Sequence, residues 1–144
     1  MFELPHRYLE EIIAHAREEA PNECCGIIAG KDGHSLKLYR ARNSEQSPFR
    51  YNIDPADLYR IHSEVEALGW EFLAIYHSHP QSEAYPSATD VIMAATTGAG
   101  EPVELWPGAV YLIISLLDRA SPKVRAFRIE GGAVTEEALS LLDR

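Results

Sequence analysis

Cysteine is nearly absent from this chain of 144 residues, and its two copies, Cys24 and Cys25, are neighbours. One peptide unit holds adjacent side chains in poor disulfide geometry, so no disulfide framework is expected. Long apolar runs are missing too. The longest, "AVYLIISLL" (109–117) and "FLAIY" (72–76), are too short to span a bilayer. No positively charged leader precedes an apolar run, so no membrane partner and a cytoplasmic location are expected. Basic residues are scarce: 13 Lys and Arg stand against 22 Asp and Glu, a formal charge of −9. Phosphate binding wants a cationic surplus on one face, so nucleic acid is not an expected partner. No glycine-rich run ends in Gly-Lys-Ser/Thr, which removes a phosphate loop.

What is present is an ordinary globular balance, with 46% apolar and 24% charged residues. The length suits one domain over residues 1–144. Leu9, Ile12, Ile13 and Ala16 recur at helical spacing, so residues 5–20 read as a helix with Pro5 in its first turn. "CCGIIAG" (24–30) reads as a buried strand and "SLKLYR" (35–40) as its hairpin partner. The polar stretch after it reads as a loop, ending in a short edge strand at 49–53. A second helix starts at Asp54, with Pro55 at its first position, Asp57 completing a capping box and Gly69 ending it. "EFLAIYHSH" (71–79) carries a continuous apolar run over 72–76, as a central strand does. A third helix is expected from Ser87 to about Thr97, then a loop marked by Gly98, Gly100 and Pro102. "AVYLIISLL", "KVRAFRIE" and "AVTEEAL" supply the last strands. The sum is a mixed α/β domain, its mostly antiparallel sheet flanked by helices.

The chemistry concentrates in "HSHPQSEAYPSATD" (77–90). Side chains at i and i+2 of a strand share a face, so His77 and His79 converge, with Cα atoms about 7 Å apart. Pro80 cannot continue a central ladder, which puts His79 at the strand's rim. Ser87 and Asp90 have capping-box spacing, so the helix start can lean a carboxylate back toward the strand end. Two imidazoles and a carboxylate leave a zinc ion one position for water, the pattern of working sites rather than closed structural ones. Catalysis would also need a base, and Glu23 stands just ahead of a strand.

Glu23, then His77, Ser78, His79 and Pro80, then Ser87 with seven residues between it and His79, and Asp90 three beyond, together resemble the JAMM (MPN+) zinc metalloprotease family. The resemblance runs over nearly the whole chain, including "CCGIIAG", "NSEQSPFRYNIDPADLYRI" and "FRIEGGAVTEE". It implies a sheet wrapped by helices, cytidine-deaminase-like in outline. The deaminase H-x-E and P-C-x-x-C signals are missing, so base deamination is disfavoured. It implies one zinc ion per chain on His77, His79 and Asp90, Glu23 as general base, and Ser87 as a donor to the scissile carbonyl or oxyanion. Capping alone would also account for Ser87.

Within the family the chain resembles small bacterial carrier-protein–cysteine peptidases. That implies a ubiquitin-like sulfur-carrier partner ending in Gly-Gly, with hydrolysis after the Gly-Gly releasing cysteine. Trimming of a carrier precursor and a non-catalytic MPN-type scaffold are the alternatives. A homodimer is expected only on general grounds, closed two-fold dimers being the commonest oligomers.

Other residues carry weaker readings. Cys24 and Cys25 read as small strand residues, not nucleophiles. His6, His15, His34 and His62 read as surface or helix-face residues, and Gly26 and Gly30 as sites of close packing or turning. Phe49, Arg50 and Tyr51 are candidates for a groove wall. Tyr85 and Pro86 either meet substrate or wedge under their own loop, and Trp106 either flanks the cleft or caps the core.

Overall fold

The computed structural model describes residues 1–96 and 103–143. Its centre is a six-stranded sheet of β2 (Cys25–Lys31), β3 (His34–Ala41), β4 (Glu71–His79), β7 (Val110–Ser115), β8 (Lys123–Glu130) and β9 (Ala133–Glu137). The spatial order is β3-β2-β4-β7-β8-β9. Only β4 and β7 run parallel; the other pairs in this sheet are antiparallel. The mostly antiparallel sheet between helices is therefore as expected from the sequence.

Two helices close the faces. Helix α1 (His6–Glu19) sets Ile12 and Ala16 against Ile28, Ala74, Leu112 and Ile114. Helix α2 (Pro55–Ala67) sets Ile61 and Val65 against Ile27, Ile75 and Tyr111 on the opposite face. Each fully buried Ile or Leu in these layers contributes about 1.5–3 kcal/mol relative to exposure. Gly26 sits opposite Tyr76, and a Cβ there would lie 2.3 Å from the tyrosine ring. Its lack of a side chain lets that ring cross β2 toward α1.

Several expectations are corrected. Pro5 is not in the helix: it ends β1 (Phe2–Pro5), which pairs in parallel with β10 (Leu139–Leu142), and α1 begins at His6. No strand forms at 49–53, where a single bridge joins Asn43 to Ile53. The backbone groups that a ladder would use are taken by the Asn43 side chain, as described below. The box at the start of α2 is half made. Asp54 accepts from the Asp57 N–H, but the Asp57 carboxylate turns to Arg42 and Arg60, and the Asp54 N–H is taken by the Arg42 carbonyl. Helix α3 (Ala88–Met93) is one and a half turns long. It stops because β5 (Ala95–Thr96) pairs with β6 (Val103–Glu104). Gly98, Gly100 and Pro102 of the expected loop lie outside the described residues.

The topology decides where the ends of β4 lie. Its carboxyl end abuts the carboxyl end of β7, in the register His79 to Ser115. It also abuts the amino end of β2, where Cys25 pairs with His77. One step on, the Ser78 N–H donates to the Cys24 carbonyl at 3.2 Å, which continues the register and brings Glu23 opposite His79.

Candidate metal centre

Alternation along β4 sends Tyr76 and Ser78 to the α1 face and His77 and His79 to the α2 face. Both imidazoles are buried, as is Asp90 in the first turn of α3. Their Nε2 atoms lie 3.1 Å apart, and the Oδ2 atom of Asp90 is 3.1 Å from His77 Nε2 and 3.0 Å from His79 Nε2. Three donor atoms thus form a near-equilateral triangle that could hold a metal ion.

Protons alone satisfy this triangle poorly. His79 Nδ1 faces the Glu83 carbonyl at 2.8 Å. A carbonyl only accepts, so Nδ1 carries the proton, and a neutral ring then turns a lone pair at Nε2 toward the carboxylate. A cation between them resolves the clash. Zinc bonds of about 2.0–2.2 Å to imidazole and carboxylate span donor atoms at this separation, and the donor set is one zinc takes. The same contacts set the charges of the site. Burial opposes charge on Asp90, but His77 and His79 outweigh it and hold the carboxyl far below the usual range. Burial opposes charge on His79 too, yet Asp90 and the Glu83 carbonyl raise its pKa. At His77 burial wins and lowers it.

Neighbouring groups fix this geometry. The Ser87 N–H donates to Asp90 Oδ2 at 2.9 Å and Ser87 Oγ accepts from the Asp90 N–H at 3.0 Å, a complete capping box. Ser87 Oγ keeps its own O–H to donate elsewhere. Ser115 Oγ donates to the Ser82 carbonyl at 2.5 Å and anchors the loop that carries Glu83. The Tyr51 ring stacks on His77 at 4.4 Å and 19°.

Glu23 is 3% exposed, and its Oε1 has no hydrogen-bond partner among the described residues. Burial pushes its carboxyl up to about 8, with His79 and Asp90 also within electrostatic reach. Its backbone, by contrast, is held on every side. The N–H donates to the Ser47 carbonyl, and the carbonyl accepts from Asn43 Nδ2 at 3.1 Å. Next to it, the Cys24 N–H donates to Ser78 Oγ at 2.8 Å.

The structure therefore gathers His77, His79, Asp90, Ser87 and Glu23 at one rim. The other candidates take varied places. Trp106 packs on Phe72 and lines a cavity of about 440 Å³ at the opposite end of β4. The Tyr85 ring lies edge-on to Phe127 at 5.3 Å, although the residue stays 45% exposed. Pro86 is buried, whereas Phe49 and Arg50 are exposed. His15 lies on the buried face of α1 rather than at the surface, with Nδ1 2.7 Å from Tyr76 Oη. Cys24 and Cys25 are buried and free, and burial pushes the Cys24 thiol up to about 12 and Cys25 higher still, so neither offers a thiolate. Asn43, Glu83 and Ser115 escape sequence reading because each acts through backbone carbonyls, which leave no residue pattern.

Comparison with known proteins agrees with this geometry. Residues 5–130 match the family model of prokaryotic homologs of the JAB domain. The CysO-cysteine peptidase of Mycobacterium tuberculosis is 34% identical over 135 residues, covering 92% of this chain and 86% of that one. The desampylase of Haloferax volcanii is 36% identical over 113 residues, covering 74% of each. A solution structure from Desulfitobacterium hafniense superposes with a TM-score of 0.81 at 34% identity, covering 100% of this chain and 94% of that one. Solved JAB1/MPN domains share the fold. On this evidence the chain belongs to the prokaryotic homologs of the JAB domain.

Proposed function

We propose that the chain is a zinc-dependent peptidase that hydrolyses the bond after the C-terminal Gly-Gly of a small ubiquitin-like sulfur carrier, freeing cysteine. The observation that carries this reading is a buried triangle of two imidazoles and a carboxylate beside a buried, unpaired Glu23 carboxyl. The names of the mycobacterial and haloarchaeal relatives support the peptidase class and the carrier.

His77, His79 and Asp90 would hold the ion. Zinc at this place supplies Lewis-acid activation of water and of the scissile carbonyl. Glu23 takes the proton of the attacking water and returns it to the leaving amine. Burial suits it to both tasks, since a carboxyl whose pKa lies near the working pH can accept and release a proton. The free O–H of Ser87 donates to the developing oxyanion while its lone pair stays on the Asp90 N–H. Tyr51 covers one face of His77 and keeps water from it. Gly-Gly suits a narrow approach to such a buried rim, because it brings no side chains.

The test is mass spectrometry of a purified carrier–cysteine adduct, and of a carrier with a C-terminal extension, incubated with zinc-loaded protein. Release of cysteine by the wild type and its loss by about 10²–10⁴-fold in Glu23→Gln are expected. A Glu23→Gln protein cutting at the wild-type rate would refute the mechanism. Preferential cutting of the extended carrier would make the protein a maturation peptidase instead. Absence of bound zinc by elemental analysis would make it a scaffold.

A further inference from the structure

Loop 43–53 carries a wall of the site without being a strand. Asn43, at its root, is 8% exposed and uses its whole hydrogen-bonding capacity. Nδ2 donates to the carbonyls of Glu23 at 3.1 Å and Arg50 at 3.0 Å. Oδ1 accepts from the N–H groups of Glu45 and Asn52, both at 3.0 Å. Arg50 and Asn52 flank Tyr51, the ring stacked on His77. One buried amide therefore grips Glu23 and both neighbours of Tyr51.

We propose that Asn43 is a positioning residue that sets the Glu23 carboxyl and the Tyr51 ring in register with the His77–His79–Asp90 site. The assignment of Glu23 rests on the function proposed above; the placement of Tyr51 does not. The geometry needs an amide. Leucine would leave two carbonyls and two N–H groups unpaired in the interior. Aspartate keeps the volume and the Oδ1 pair, but turns a second oxygen toward the Glu23 and Arg50 carbonyls. Asn43 touches none of the three metal-binding candidates, which ride on β4 and α3. A mere loop staple would alter stability and leave both site groups in place. A positioning residue moves them while zinc binding persists.

The experiment uses zinc-loaded, full-length Asn43→Ala and Asn43→Asp, with folding checked by circular dichroism and thermal midpoint. The expected kcat loss is about 10²-fold, the scale of an ångström misplacement, with a smaller change in KM. Zinc affinity by chelator competition should stay within about threefold, since second-sphere effects on ligands begin near tenfold. In NMR spectra of histidine-labelled protein, the His77 ring protons should lose the Tyr51 ring-current shift, moving in the direction they move in Tyr51→Leu. If Asn43→Ala does not fold, Asn43→Asp carries the test. Folded variants with wild-type kcat and unmoved His77 resonances overturn the proposal. A fully active Glu23→Gln would instead sink the general-base reading, and the His77 resonances would still decide the role of Asn43 in placing Tyr51.

Discussion

Four consecutive residues of β4 build two buried polar clusters on opposite faces of one sheet, and the two are unlike. On the α1 face, Tyr76 Oη meets His15 Nδ1 and Ser78 Oγ meets the Cys24 N–H. On the α2 face, His77 and His79 crowd Asp90, while His77 Nδ1 and Glu23 Oε1 lack partners among the described residues. Burial is equal, so the difference lies in satisfaction. Buried polar groups are normally paired, because an orphan forfeits its water at about 1–3 kcal/mol. A strand whose α1 face obeys that rule and whose α2 face breaks it separates polar groups that hold the fold from polar groups that wait for a ligand and a substrate.

The sharpest way to break this contrast is to delete one atom group from each cluster. Asp90→Ala removes a corner of the triangle. We expect zinc affinity to fall by more than about 100-fold, beyond what second-sphere changes cause, and turnover to fall to background. Chelator competition and adduct cleavage measure the two effects. Retention of zinc at wild-type affinity would place the ion elsewhere.

The next effect is on stability against pH, measured on metal-stripped protein. The Glu23 carboxyl is raised to about 8, so the folded state binds a proton that the unfolded state releases above about 4.5. Stability is therefore full below that value and declines as pH climbs toward 8. His15 is lowered to about 4 by burial first and by Arg40 second, so the folded state refuses a proton that the unfolded state takes up. Its contribution is full above about 6.5 and is lost as pH falls toward 4. Glu23→Gln should flatten the alkaline limb and His15→Leu the acid limb of a denaturation-midpoint profile. The ceiling is about 1.4 kcal/mol per pKa unit. Identical profiles for Glu23→Gln and wild type would show that the Glu23 carboxyl is not strained by burial.

On the paired face, Tyr76→Phe leaves His15 Nδ1 buried and alone. The expected cost is about 1–3 kcal/mol in chemical denaturation, with zinc affinity and kcat unchanged. A loss of zinc in this variant would erase the distinction between the two faces.

The two clusters also differ in how far sequence alone reaches. The convergence of His77 and His79 follows from strand alternation, and the aim of Asp90 from the Ser87 cap, because both are local. Helices α1 and α2 were legible from their apolar stripes. The place of Glu23 depends on β2 meeting β4 across fifty residues, so it came from resemblance rather than from pattern. The parallel pairing of Phe2–Pro5 with Leu139–Leu142 spans nearly the whole chain and leaves no local mark. Residues 49–53 mimic an edge strand in composition, yet side-chain amide bonds from Asn43 take the place of its ladder. His15 reads as a helix-face residue, and nothing near it in sequence announces Tyr76, sixty-one positions away.

Ser78 links the two faces and allows the finest test. Its hydroxyl belongs to the paired cluster, but the group it holds is the Cys24 N–H, directly after Glu23. Ser78→Ala leaves that N–H without its acceptor and should cost about 1 kcal/mol of stability. It should also lower kcat about tenfold, by loosening the backbone that aims the Glu23 carboxyl. The decisive measurement is the double variant. In a Glu23→Gln background the carboxylate is gone, so Ser78→Ala should leave the residual rate alone while still lowering stability. Additive kcat losses would mean that Ser78 acts on the reaction by another route, and that the satisfied face has no hand in placing the base.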